Sequence, residues 1–95
     1  MKPIQSVTAV CLTAASPARV RKGLQGFASC RYGDLTLDGI AVRRTRDGRH
    51  VLSFPVRHDR NGNQHHIVRP VDDDARQAFE AAVIKALGLD AEAAS

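Results

Sequence analysis

The sequence predicts an α+β fold: an antiparallel β-meander of about five strands with one C-terminal amphipathic helix packed on the sheet. Two dipeptides and one change of period carry this prediction. Asp47-Gly48 and Asn61-Gly62 are strong hairpin signals, each between runs of strand-like residues. After Pro70 the segment VDDDARQAFEAAVIKALG places apolar residues at helical spacings of three and four. Strands first and a helix last give an α+β domain.

Residues 4–12 read as a first strand, with Val7 and Val10 among small residues. Residues 13–22 hold a proline, small residues and the basic Arg19, Arg21 and Lys22, and read as a loop or irregular connection. Alternation resumes over residues 23–32, where Gly26 marks a bulge. Gly33-Asp34 turns the chain into a third strand, residues 35–42, whose register shifts at Gly39. Asp47-Gly48 is expected to form a two-residue type I′ turn. Residues 51–56 follow as a fourth strand, with Pro55 confined to an edge or bulge because it cannot donate a ladder hydrogen bond. Asn61-Gly62 then leads into a last strand, residues 64–69. Asp72 or Asp73 caps the helix. Ala75, Phe79, Ala82, Val83, Ala86 and Leu87 form its apolar stripe, and Gly88 suits its C-terminal end. Residues 1–88 are expected to form one domain and residues 89–95 a flexible tail.

Only 4% of the residues are aromatic, so Val, Ile, Leu and Ala must supply most of the core, with Phe27, Phe54 and Phe79 also placed in it. No run approaches the roughly 20 apolar residues of a membrane span, and the first residues lack the apolar stretch of a signal peptide. Cys11 and Cys30 fit no metal-ligand spacing, which points to a reduced, cytoplasmic protein. The net charge of +4 is unevenly spread. Residues 19–69 carry eleven Lys or Arg against four Asp, whereas residues 72–95 carry two cations against six acids. A basic block on a folded scaffold attracts polyanions.

A two-residue turn at Asn61-Gly62 would set His58 opposite His65 and Arg57 opposite His66. His65 and His66 then point to opposite faces, and His58 with His65 supplies two imidazoles where a closed zinc site needs four ligands. Nor does the sequence contain a local Ser/His/Asp arrangement or a phosphate-cradling glycine loop. No enzymatic activity, cofactor, metal or small-molecule substrate is expected. Nucleic acid fits more of the pattern. Arg43, Arg44, Arg46 and Arg49 flank the first turn, and Arg57, His58 and Arg60 the second. Arginine forks bind phosphates and read guanine edges. With so few aromatics, phosphate and groove contacts are favoured over a stacking platform. The alternative is a non-enzymatic module that binds an acidic protein partner through the same basic surface.

The segment LTLDGIAVRR…DGRHVLSFPVRHDRNGNQHHIVRPVDDDARQAFEAAVI resembles the SpoVG family (stage V sporulation protein G, the septation regulators). The likeness lies in the order and spacing of several short elements. These are Gly39-Ile40-Ala41-Val42, Gly48, Phe54-Pro55, Arg57-His58, Asn61-Gly62, Ile67-Val68-Arg69-Pro70 and residues 72–76, and the resemblance covers about residues 4–87. It implies a small homodimeric regulator of gene expression, sporulation or cell division that binds DNA and in some members RNA. By position it nominates Arg57, His58 and Arg76 as nucleic-acid contacts. His58 stands where the family has a second basic residue, and Arg60 where it has a proline in the turn. Dimerisation through an exposed edge strand is the expected route.

Overall fold

The computed structural model describes residues 7–89. Four antiparallel strands in sequential order form the main sheet: β1 (Val7–Ala14), β2 (Leu24–Tyr32), β3 (Leu35–Arg44) and β4 (His50–Ser53). A short helix, α1 (Pro17–Arg21), joins β1 to β2. The ribbon of β5 (Val56–His58) and β6 (Gln64–His66) is a separate two-stranded sheet, and α2 (Asp73–Ala86) closes the domain. The α+β class is therefore as expected, with the strands carried on two sheets. No helix among the described residues is long and apolar enough to cross a membrane.

Three local departures from the sequence expectation have physical causes. The connection after β1 contains a helical turn because Ser16 accepts a hydrogen bond from the Arg19 amide and Pro17 opens the helix, where its missing N–H costs nothing. The fourth strand breaks at Phe54-Pro55. The ribbon then ends early: the Ile67 amide donates to the Pro55 carbonyl at 3.3 Å, but Pro55 has no N–H with which to continue the ladder. Residues 4–6 of the expected first strand lie outside the described residues. The bulge at Gly26 and the shift near Gly39 are both present in the pairing of β2 with β3. Gly26 is also required by β1, since a Cβ there would sit 2.3 Å from the Thr13 carbonyl oxygen.

One face of the sheet supplies the core. Ala28, Cys30, Ile40, Val42 and Leu52 pack with Phe79, Val83 and Ile84 of α2. Each large apolar side chain so buried contributes about 1.5–3 kcal/mol. The Tyr32 and Phe54 rings both lie 5.5 Å from that of Phe79 in tilted contacts. The helical stripe is rotated from the expected one: Ile84 is buried, while Ala86 is exposed. Asp72 caps α2 by accepting from the Ala75 amide at 2.8 Å. At the other end, the Leu89 amide donates to Ile84 and the side chain packs against the core, so Leu89 belongs to the helix terminus. Phe27, expected in the core, is 42% exposed on the opposite face of the sheet.

The helix also grips the edge of β4. The Leu52 amide donates to Glu80 Oε2 at 2.9 Å, and Arg76 Nη2 donates to the Leu52 carbonyl at 3.3 Å. Arg76 and Glu80 are themselves paired at 3.4 Å, one helical turn apart. Both polar groups that Leu52 turns to the sheet edge are therefore satisfied by one helix, closing this position to another strand. The other edge strand, β1, is interrupted by a bulge in which Ala9 adopts φ 52°.

Replacing Glu80 with Ala strands the part-buried Leu52 amide and is expected to cost about 1–3 kcal/mol in urea unfolding. Gln77→Ala, on the exposed side of the same helix, should stay within about 0.5 kcal/mol of the wild type. Equal stability of the two variants would show that the edge contact contributes nothing.

Candidate nucleic-acid interface

In an antiparallel meander, the connection from β1 to β2 and the connection from β3 to β4 fall at the same end of the sheet. A 2.7 Å hydrogen bond from the Arg44 amide to the Gly23 carbonyl ties the two connections together. Arg19, Arg21 and Lys22 thereby join Arg43, Arg44, Arg46 and Arg49, and all seven are exposed. Asp47 is the one acid within residues 15–23 and 43–50. Arg19, Arg21 and Lys22 are basic residues that lie outside the site expected from the sequence. Their signal was topological, since an even number of antiparallel crossings returns the chain to the same end.

Both basic turns share one construction, which differs from the two-residue type I′ turn expected. In the first, the Gly48 amide donates to the Thr45 carbonyl at 3.0 Å and the Thr45 amide to the Arg49 carbonyl at 2.8 Å. In the second, Gly62 donates to Asp59 at 3.0 Å and Asp59 to Asn63 at 2.9 Å. Gly48 and Gly62 have φ of 89° and 82°, while Asp47 and Asn61 are not left-handed. This is the three-residue loop in which a tight turn is followed by a left-handed glycine. Side chains of the first residue lock it. Thr45 Oγ1 accepts from the Arg49 amide at 3.1 Å, and Asp59 Oδ1 accepts from the Asn61 and Asn63 amides at 2.9 Å each. Arg46 and Arg60 consequently occupy the same place at their respective tips, exposed to solvent.

The extra loop residue moves the second hairpin by one position. Val56 pairs with His66, Arg57 with His65 and His58 with Gln64, so the expected pairing of His58 with His65 does not occur. These two histidines fall on opposite faces of the ribbon. His65 Nε2 instead lies 2.9 Å from Asp59 Oδ2. That contact, followed by the Asn63 amide, holds the Asp59 carboxyl below its ordinary value. Among the described residues no three His, Cys, Asp or Glu side chains gather as a metal site.

The predicted site residues therefore fall into three groups. Arg43, Arg44, Arg46 and Arg49 stand together at the basic end of the main sheet. Arg57, His58 and Arg60 are exposed on the separate ribbon. Arg76 is engaged by Glu80 and the Leu52 carbonyl at the sheet edge. Arg49 leans toward Asp47 at 3.4 Å, but both side chains are more than half exposed, so this pair is weak.

Because its folded pKa is lowered, the Asp59 carboxylate supports the second turn fully above its ordinary pKa of 3.8, and this support is lost as pH falls through the lower folded value. The Asn61 and Asn63 amide NMR signals should shift in that acidic range as the carboxylate is protonated. If they stay fixed down to global unfolding, the carboxylate does not hold the turn.

No family model matches this chain, and no curated protein matches it. The likeness to the SpoVG family rests on the motifs quoted above.

Proposed function

We propose that the protein binds nucleic acid through the basic end of its four-stranded sheet, as a cytoplasmic regulator of the SpoVG type that acts as a homodimer. The observation that carries this reading is the convergence of seven cations from two hydrogen-bonded connections, with Asp47 as the one acid among them. Arg19, Arg21, Lys22, Arg43, Arg44, Arg46 and Arg49 contact phosphates, and one or two of the arginines read bases. Arg57, His58 and Arg60 extend the contact from the ribbon. Binding here is electrostatic: each phosphate neutralised releases condensed counterions, which gives a log–log salt slope near −0.9 per phosphate on B-DNA. Resemblance to the SpoVG family supports the regulatory role and the dimer.

Titrating labelled DNA and RNA at several salt concentrations tests the proposal. Affinity should fall steeply with salt, and the Arg46→Ala/Arg49→Ala double variant should flatten the slope by about two. Its folding free energy should stay close to that of the wild type, as expected for exposed side chains. An absence of binding to any DNA or RNA at low salt would refute the reading, and tight binding to an acidic protein instead would favour the partner-module alternative.

Arg57→Ala/Arg60→Ala is expected to fold normally yet bind more weakly. A large fall in melting temperature with unchanged affinity would assign these two arginines to the fold.

A further inference from the structure

The face of the main sheet that α2 leaves open carries an aromatic ring at its centre. Strand register aligns Thr13, Phe27, Ala41 and Ser53 across all four strands. Their neighbours Ala28, Ile40 and Leu52 point the other way, into the core. Phe27 stands on β2, an inner strand, is 42% exposed, and lies outside the packed core. The same register puts Arg43 on this face on one side of Phe27 and Arg31 on the other, both exposed. The acid of this face is Asp38, exposed in the β3 bulge opposite Ser29, so the two arginines outnumber it.

We infer that this face binds single-stranded nucleic acid, with one base stacked on the Phe27 ring and the flanking phosphates held by Arg31 and Arg43. Three features favour this occupant. An antiparallel sheet with a solvent-facing aromatic ring between cations offers a single strand both a stacking surface and charge neutralisation. The residues that align with Phe27 (Thr13, Ala41 and Ser53) are small, and the Phe27 side chain stays 42% exposed although Ala41 beside it is buried. Arg43 also belongs to the basic end, so a strand lying on the face would continue into the phosphate contacts proposed above. A duplex, whose bases remain stacked inside, cannot use the ring. The inference rests on the nucleic-acid reading and sharpens it to a strand type and a base-contacting residue.

The test compares wild type, Phe27→Leu and Phe27→Tyr for binding of fluorescein-labelled oligo-dT and oligo-rU, and of a labelled DNA duplex. Leu keeps the apolar bulk but lacks the ring, whereas Tyr keeps the ring. Phe27→Leu should bind the single strands about tenfold more weakly, given the usual worth of stacking one base. Phe27→Tyr should stay within about twofold of wild type, and duplex affinity should be the same for all three. Wild-type affinity of Phe27→Leu for the single strands overturns the inference while leaving the basic-end reading intact. Failure of the wild type to bind either strand form overturns both. Sedimentation of the same samples supplies a further check. A wild-type dimer that Phe27→Leu converts to monomer assigns the face to a second copy of the chain and overturns the inference.

Discussion

The arrangement depends on how Leu52 is satisfied. Its amide and carbonyl face the open edge of β4, where an unpaired strand would recruit another. Glu80 and Arg76 occupy both groups from one side of α2. The contact adds direction to the apolar packing of Phe79, Val83 and Ile84, which alone does not orient a helix on a sheet. With that edge taken, the main sheet stops at four strands, and the chain beyond Pro55 forms its own ribbon. With α2 fixed on one face, the opposite face stays open. The exposed surfaces proposed to bind nucleic acid are thus set by a contact that takes no part in binding.

Charge follows the same division. The acids of α2 serve its own fold: Asp72 caps the helix, Asp73 and Asp74 complement the positive end of its dipole, and Glu80 holds the sheet edge. The cations of residues 19–49 have few internal partners and stand at the strand ends. Arg76 differs in being engaged by Glu80 and the Leu52 carbonyl while its side chain stays half exposed. Phosphate binding needs cations that are exposed and close together more than it needs any one precise geometry. The meander supplies that proximity by returning alternate connections to one end.

Much of the fold is legible from local signals. Helical spacing after Pro70, the caps at Asp72 and Gly88, the irregularities at Gly26 and Gly39, and the two turns all follow from the preferences of neighbouring residues. What local reading misses is set by tertiary or competing contacts. The turns gain a residue because Thr45 and Asp59 bond the backbone two to four residues ahead, favouring the longer loop over a type I′ turn. That single residue reverses the face of every ribbon side chain relative to its expected partner. Phe27 reads as core because a phenyl ring in an alternating strand normally is. Only the register of β2 against both neighbours puts it on the open face. The basic residues before β2 become part of the candidate site only once the meander brings them beside the first hairpin.

Binding at the basic end and the Phe27 face is tested most directly by an amide chemical-shift map recorded while a short single-stranded oligonucleotide is added to the labelled protein. Perturbations should concentrate at residues 19–22 and 43–49 and extend along β2 to Phe27, with α2 little affected. Shifts confined to α2 and the cleft beside it, or no shifts at all at low salt, would contradict such binding.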